Sequence, residues 1–123
     1  MPHAFTPRHI DKPWGYELIW AEAEDYVGKV LFVRAGQALS LQYHEQKDES
    51  WLVQAGRASL ELGVVGGELT IFEIAAGDAF RYRPGTVHRV TAIEDTTILE
   101  VSTPHLDDVV RLDDRYGRPE RDV

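Results

Sequence analysis

Turn signals recur about every eight to twelve residues along most of this chain, and the segments between them alternate apolar with polar side chains. The alternation is clearest between Arg57 and Leu62, where alanine or leucine occupies every second position and makes one face of the segment apolar. No segment before Pro104 has the apolar spacing of a helix. The pattern therefore predicts an all-β fold in which short strands form a sandwich or a barrel.

The stretch from Gly36 to Gly56 is typical of two strands joined by a turn, and it concentrates side chains that bind metal ions. Before the turn, Gln42 and His44 fall on one face, because side chains alternate along a strand with a period of two. After the turn, Glu49 opens a second alternating segment. If both faces point into one barrel, an amide, an imidazole and a carboxylate converge there, and these groups suit a divalent transition metal.

His88 is the candidate for a further donor. It follows Pro84-Gly85, a pair of residues that forms rigid turns and could aim the next strand inward. Two imidazoles with two oxygen donors fit zinc, our first choice, and also manganese, iron, nickel and cobalt. The sequence therefore predicts one divalent metal ion, bound by Gln42, His44, Glu49 and His88, with orientation of His44 as the alternative role of Gln42.

Composition limits the classes of protein to which this chain can belong. With 123 residues, 43% of them hydrophobic, it is long enough to fold as one domain around its own core. Cysteine is absent, which excludes a disulfide framework and a thiolate metal site. A net charge of -8 argues against nucleic acid as a partner. The N-terminus lacks the apolar core of a signal peptide and no apolar run approaches bilayer length, so we expect a cytoplasmic protein without a membrane partner.

Changes in composition divide the chain into three parts. Residues 1–13 contain three prolines and alternate poorly, which predicts an extended N-terminal arm. Residues 14–103 hold the alternating segments of the barrel. Residues 104–123 are rich in Asp and Arg and carry apolar residues at roughly helical spacing, which predicts a short helical or irregular tail packed on the barrel.

The residues around the predicted metal site follow the two motifs of the cupin superfamily. The first motif is matched over residues 36–56, with Gln42 in place of the motif's first histidine. The second is matched over residues 77–88, where His88 supplies the histidine that completes the metal site. The chain is thus identified as a member of this superfamily, which implies a small single-domain cupin, a jelly-roll β-barrel.

More narrowly, the chain resembles the cupin domain of type II phosphomannose isomerases. The matching runs are residues 12–17, 39–44, 49–51, 84–89 and 113–118, in that order. The resemblance implies a metal-dependent isomerase that interconverts an aldose phosphate and a ketose phosphate, such as mannose 6-phosphate and fructose 6-phosphate, in carbohydrate metabolism or polysaccharide biosynthesis. It also implies a homodimer, for which Trp14, Tyr16 and the arm are the candidate contacts.

The chain departs from that family within the first motif. The family usually has a run of histidines after the glutamine, followed by Arg-x-Glu-His. Here Gln46, Lys47 and Ser50 stand in place of the surrounding histidine and arginine side chains. The metal donors are retained, whereas fewer basic groups remain to hold a phosphate.

Four further residues are candidates for contact with a substrate. Lys47 is the predicted catalytic residue, because it is close in sequence to the metal donors and the family has an arginine there. Trp51 shares a strand face with Glu49 and is predicted to line a sugar pocket, while Arg89 and Lys29 are predicted to bind the phosphate. In the segment 79–83, alternation predicts buried aromatic rings and outward-facing arginines.

Two other functions remain open from the sequence. His44, Glu49 and His88 by themselves form a two-histidine, one-carboxylate set, which suits a non-haem metal oxygenase. A non-catalytic sugar-binding cupin module would also keep the metal donors. Oxygen uptake with ferrous iron would identify the oxygenase, and tight binding of a hexose phosphate without conversion would identify the binding module.

Overall fold

A computed structural model describes residues 2–122, and over this range the chain forms eleven β-strands and no helix. Met1 and Val123, the outermost residues of the predicted arm and tail, lie outside the described residues. The strands are β1 (Arg8–Lys12), β2 (Gly15–Glu22), β3 (Val27–Val33), β4 (Leu41–Tyr43), β5 (Glu49–Ala55), β6 (Arg57–Val64), β7 (Thr70–Ala75), β8 (Ala79–Tyr82), β9 (Thr86–Ala92), β10 (Thr96–Ser102) and β11 (Val110–Asp113).

The strands form two antiparallel sheets that face each other. One sheet has six strands in the order β1-β2-β3-β10-β5-β8, and the other has five in the order β11-β4-β9-β6-β7. Strands that are distant in sequence, such as β3 and β10, lie side by side, as expected for a jelly roll. The predicted all-β cupin fold is confirmed.

The core lies between the sheets and is built from the inward-facing half of each alternating strand. In β6, Ala58 and Leu60 are fully buried, and Val90 of β9 and Ile98 of β10 pack into the same cluster. In β8, Tyr82 is buried while the neighbouring arginines are exposed, as alternation predicts. The period-two pattern therefore indicates correctly which face of each strand is apolar.

One turn that fixes the position of β5 requires glycine. Gly56 joins β5 to β6 with a φ of 93°, a value that side-chain-bearing residues rarely adopt. A Cβ atom there would lie 2.2 Å from the carbonyl oxygen of Asp95. The last glycine of the first motif thus allows two strands, one from each sheet, to meet in a tight connection.

Both sheets include strands from outside residues 14–103. The arm is more regular than predicted, because β1 pairs with β2 along its whole length and forms the edge of the six-stranded sheet. The arm and tail boundaries themselves remain a prediction. Trp14 is only 3% exposed and belongs to the core, so its prediction as a dimer contact is wrong.

The helical alternative for the tail is also wrong. Val110–Asp113 forms β11, which pairs with β4 at the edge of the five-stranded sheet. Val110 is buried, whereas Leu112 is 49% exposed, because the pairing register shifts between Arg111 and Asp113. The open edge of β4 supplies backbone partners that the sequence of the tail does not reveal.

None of the described segments is a helix of the length and apolarity needed to cross a bilayer.

Candidate metal centre

Three buried side chains from separate parts of the chain meet between the two sheets. His44 follows β4, Glu49 is the first residue of β5, and His88 lies in β9. Their ligand atoms all lie within 4.8 Å of one another. His44 Nε2 is 3.3 Å from Glu49 Oε2, and His88 Nε2 is 3.2 Å from Glu49 Oε1. The fold therefore brings together three of the four predicted donors.

The strand register explains why these side chains converge. Gln42 of β4 is the direct cross-strand partner of His88, so the two side chains share the inner face of the five-stranded sheet. Glu49 belongs to the other sheet, where it is paired with Tyr82 and Ser102. The backbone N–H of Gly85, in the predicted turn before β9, donates to the carbonyl of His44 at 2.8 Å. The centre thus forms only when the two sheets close on each other.

Backbone carbonyls fix the tautomer of both histidines. His88 Nδ1 donates to the carbonyl of Thr86 at 2.9 Å, and His44 Nδ1 donates to the carbonyl of Asp108. A carbonyl oxygen can only accept, so Nδ1 carries the proton in each ring and the Nε2 lone pair of a neutral ring is free. This is the usual arrangement of histidines that bind metal through Nε2.

The free lone pairs show that the residues fit a cation. Nε2 of His44, Nε2 of His88 and Oε1 of Glu49 are buried and have no hydrogen-bond partner among residues 2–122, while Oε2 of Glu49 contacts only the ammonium of Lys47 at 2.8 Å besides the histidines. Two lone pairs that face a carboxylate at 3.2 and 3.3 Å repel it, unless a positive charge lies among them. Two imidazole nitrogens and one carboxylate are also a common donor set for divalent transition metals. The set therefore fits a divalent metal ion.

Gln42 lies beside this set without direct evidence for ligation. Its Oε1 accepts a hydrogen bond of 2.6 Å from the hydroxyl of Ser40, and its side chain lines the adjoining cavity. An amide oxygen has a second lone pair, so this hydrogen bond leaves Gln42 able to bind a metal. Its role as the fourth ligand remains a prediction.

Lys47 places a positive charge next to the carboxylate. Its Nζ lies 2.8 Å from Glu49 Oε2 and 3.1 Å from Glu100 Oε2. Burial opposes the charged form of Lys47, but the two carboxylates outweigh it and raise the pKa of the lysine above its usual range. Burial likewise opposes ionisation of Glu49, yet the charge of Lys47 holds the pKa of this carboxyl well below its usual range. Both groups are therefore ionised at neutral pH.

Lys29 and Trp51 belong to the same buried network. Lys29 Nζ lies 3.3 Å from Glu17 and 3.9 Å from Glu100, so its charge is shared between two carboxylates. The indole N–H of Trp51 donates to Glu100 at 3.1 Å, and its ring packs edge-on against His88. Glu100 thus joins Lys29, Lys47 and Trp51 and fixes their positions beside the metal donors.

Asp108 holds the loop that carries His44 and Lys47. Its carboxylate accepts hydrogen bonds from the backbone N–H groups of Glu45, Gln46 and Lys47 at 3.0, 2.6 and 2.9 Å. Partial burial opposes its ionisation, but these three donors keep the pKa of Asp108 below its usual value. Because its carbonyl also accepts from His44, this residue fixes both the loop and one metal ligand.

A cavity of about 170 Å³ opens beside the metal donors and is lined by residues of both sheets and of the tail. Its walls include most of the predicted site residues. They are Lys29, Gln42, His44, Lys47, Glu49 and Trp51. Residues of the tail close one side of the cavity.

Arg89 is not brought into this cavity. It follows His88 in β9 and therefore points to the opposite face of the sheet. There its guanidinium is paired with Glu61 at 2.5 Å and with Asp113 at 2.8 Å. The prediction that Arg89 binds the substrate therefore has no support from its position, because Arg89 is not among the residues that line the cavity.

Sequence reasoning missed Glu100 and Asp108. Alternation could have identified Glu100, because it lies two residues after the apolar Ile98 in β10 and therefore faces the core on the same side of the strand. There was no such signal for Asp108, which lies in an irregular segment more than 60 residues from the loop it holds. Its role follows from the tertiary structure alone.

Comparison with protein families gives a match over most of the chain. The family model described as "Mannose-6-phosphate isomerase C-terminal" matches residues 3–114. The mannose-1-phosphate guanylyltransferase ManC of Salmonella typhimurium is 33% identical over 116 residues, which cover 90% of this chain and 23% of that protein. This chain spans about a quarter of the length of the curated relatives it matches.

Solved structures with the same fold are cupins. The oxalate decarboxylase of Bacillus subtilis, which has Mn(II) centres, superposes with a TM-score of 0.73 and 20% identity over 85% of this chain and 30% of its own. KdgF from Halomonas sp. superposes with a TM-score of 0.66 and 22% identity, covering 83% of this chain and 93% of its own. These likenesses show the fold, and the match over residues 3–114 establishes that the chain belongs to the mannose-6-phosphate isomerase C-terminal family of cupin domains.

Proposed function

We propose that this chain is a metal-dependent sugar-phosphate isomerase that interconverts mannose 6-phosphate and fructose 6-phosphate, or a closely related aldose–ketose pair. One observation carries the proposal: two Nε2 lone pairs and a carboxylate converge, and two of these three residues, His44 and Glu49, line a cavity next to a buried lysine. Membership of the family supports the choice of substrate class. Guanylyl transfer is not proposed, because the relatives named for it are about four times as long.

The predicted ligands are His44, Glu49 and His88, with Gln42 as the fourth. Zinc remains our first choice of metal, and manganese, iron, nickel and cobalt also suit nitrogen and oxygen donors. Manganese gains support from the Mn(II) centres of the Bacillus subtilis oxalate decarboxylase, which has the same fold. When bound, a divalent ion supplies Lewis-acid polarisation of a substrate carbonyl.

Isomerisation needs no oxidant or second substrate. One proton leaves C2 of the open-chain aldose and one is added to C1, while the hydroxyl proton on O2 is lost and one is gained on O1, so the two sugars have the same composition. We assign to Lys47 the stabilisation of negative charge on the sugar oxygens, because it is the cation in direct contact with Glu49. Trp51 and Lys29 form the wall of the cavity beside it.

A sugar-binding module without turnover is the second candidate. The observation in its favour is the loss of histidine and arginine around the first motif, where Gln46 and Ser50 now stand. The metal donors would then serve only to bind sugar hydroxyl groups. Measurement of turnover separates this candidate from the isomerase.

The metal-loaded protein is expected to convert mannose 6-phosphate to fructose 6-phosphate in a coupled spectrophotometric assay. Zinc, manganese, cobalt, nickel and ferrous iron should each be tested, along with hexose and pentose phosphates. Lys47→Met is expected to lower kcat by about 10²-fold or more, because a single electrostatic donor at a reacting oxygen has that effect. The same variant should lower metal content much less, since lysine is not a ligand.

Glu49→Ala is the blank for this assay, because it removes one metal donor. Equal rates for wild type and Glu49→Ala with every substrate would reject the isomerase. Tight binding of a hexose phosphate in that case would favour the binding module. Oxygen uptake with ferrous iron would instead identify the oxygenase.

We also propose a homodimer, formed through the outer face of the six-stranded sheet. Trp20, Leu52 and Val101 are 47%, 41% and 60% exposed on this face. The Trp20 ring lies across Gly28, where a Cβ atom would be 2.9 Å from the ring, and Gly28 is paired with Val101. Leu52 lies two residues beyond Ser50, the partner of Val101 in β5, so it shares this face with the other two and the three form one apolar patch of the kind that marks contact sites between proteins. The predicted cytoplasmic location remains a prediction.

Light scattering at micromolar concentration is expected to give twice the mass of one chain. Val101→Glu should convert the protein to monomer, because it buries a charge in the interface. Ile71→Glu is the matched control, since Ile71 is 63% exposed but lies in the other sheet. A monomeric mass for wild type, or a dimer that Val101→Glu leaves intact, would contradict this interface.

A further inference from the structure

The guanidinium of Arg111 lies at the cavity and is paired with the carboxylate of Asp122, a residue of the same chain. Arg111 of β11 lines the cavity, and its side chain is only 8% exposed. Its two terminal nitrogens bind the two oxygens of Asp122 at 2.7 and 3.1 Å, which is the bidentate geometry that arginine forms with carboxylates and phosphates alike. Its Nε is buried and has no acceptor among the described residues.

Two more cations line the cavity near this pair. Lys12 comes from β1 and Arg118 from the tail, so three separate segments contribute positive charge. Arg111 is the main cause that keeps the pKa of Asp122 below its usual value, and Lys12 and Arg118 act in the same direction. Lys12 has only a distant partner, Glu17 at 3.9 Å. Arg118 is also paired with Asp114 at 2.9 Å, so displacement of Asp122 would leave Arg111 and Lys12 as the cations without a close carboxylate.

The register of the sheet aligns Arg111 with the metal centre. Arg111 is the cross-strand partner of Gln42, and Gln42 is the cross-strand partner of His88. Directly opposed residues share a sheet face, so the three side chains form one row on the inner face. Adjacent strands are about 4.8 Å apart, which puts the backbone of Arg111 about 10 Å from that of His88. A ligand with reactive oxygens at one end and an anionic group at the other matches this row.

We propose that Arg111, Lys12 and Arg118 form an anion-binding subsite for a phosphoryl group, and that the Asp122 carboxylate occupies this subsite when no ligand is bound. The assignment of the anion as the phosphate of a sugar rests on the proposed function, whereas the subsite itself does not.

The Asp122 carboxylate can be displaced, while the cations are fixed. The Asp122 side chain is 45% exposed, so its release into water costs little. Arg111 is held by further contacts, because its terminal nitrogen also donates to the carbonyl of Pro119 and its backbone N–H donates to the carbonyl of Glu120. A phosphoryl group has more acceptor oxygens than a carboxylate and can also satisfy Nε of Arg111.

Binding of inorganic phosphate tests the subsite without sugar or turnover. The full chain is treated with a chelator, so that phosphate cannot bind through a metal ion, and affinity is measured by phosphorus NMR titration. Asp122→Asn is expected to bind phosphate roughly threefold to tenfold more tightly than wild type, because it removes a competing charge. The affinity of Arg111→Gln for phosphate should be at least about tenfold lower than that of Asp122→Asn.

Two control variants each remove one carboxylate or one guanidinium charge at a site away from the cavity. Glu73→Gln and Arg57→Gln break an exposed ion pair of the five-stranded sheet and should leave phosphate affinity unchanged. If Arg111→Gln lowers the melting temperature, Lys12→Gln in the Asp122→Asn background replaces it and should weaken binding by about threefold. Equal affinity of wild type, Asp122→Asn and the variants lacking a subsite cation would overturn the proposal. Because neither metal nor sugar is present, this outcome is independent of whether the protein is an isomerase.

Discussion

Replacing His88 by alanine is expected to abolish stoichiometric binding of a divalent metal ion while both sheets remain folded. The loss in affinity should exceed about 100-fold, because changing even a residue that only orients a ligand costs about 10- to 100-fold. His44→Ala should have the same effect, since both Nε2 atoms face the carboxylate of Glu49. Metal content after loading and dialysis, and β-rich circular dichroism, are the two measurements.

His9→Ala is the matched control for these variants. His9 is exposed on β1, outside the metal centre, and should keep wild-type metal content when replaced. Removal of a buried ring at His88 also leaves a cavity beside Tyr82, which stacks on it at 4.2 Å, so a lower melting temperature is expected for that variant. The metal site is rejected if wild type, His44→Ala and His88→Ala all hold equally little metal after loading.

The strands were predictable because alternation is a local property. In β6 every second residue from Ala58 is apolar, and the structure buries that face against the other sheet. In β8 the same rule separates the buried Tyr82 from its exposed arginine neighbours. The metal donors could be predicted equally well from the sequence, because their spacing within the motifs places His44, Glu49 and His88 on inward faces.

The errors arise where a partner strand or an ion pair decides the outcome. The tail forms β11 because the edge of β4 is open, and no pattern within residues 104–123 reveals that edge. Arg89 was predicted to bind substrate, although it directly follows the inward-facing His88, and alternation along the strand therefore favoured the outer face. That prediction was based on the positive charge of Arg89, which Glu61 and Asp113 neutralise in the structure. Arg111 does line the cavity, but it lies in the tail, where the apolar spacing predicted a helix and gave no sign that this residue faces the metal donors.

Asp108 offers a test of whether contacts outside the donor set control metal binding. Asp108→Ala removes the carboxylate that accepts from three backbone N–H groups in the loop between His44 and Glu49. The loop should then lose its fixed position, and with it the orientation of His44. We expect metal affinity to fall by about 10- to 100-fold, the range seen when groups that orient metal ligands are changed. Calorimetric titration of the metal-free protein measures this loss.

The accompanying loss of stability should depend on pH in a defined direction. The folded pKa of Asp108 lies below the ordinary value of 3.8, so its carboxylate stabilises the fold fully above that value and progressively less as pH falls through the folded pKa. Asp108→Ala should therefore cost about 1–2 kcal/mol at neutral pH, where charge-assisted hydrogen bonds are lost, and less in acid. Denaturant unfolding at neutral and acidic pH measures the difference.

Asp78→Ala separates a general loss of stability from an effect on the metal centre. Asp78 accepts a hydrogen bond from the backbone N–H of Ala75 at 2.8 Å in the turn between β7 and β8, outside the cavity walls. Its replacement also removes a negative charge and a backbone contact, so some stability should be lost while metal affinity stays at the wild-type level. If Asp108→Ala likewise keeps wild-type metal affinity, the Asp108 carboxylate has no part in positioning His44, and the backbone carbonyl at this position, which alanine retains, remains the contact of the tail with the ring.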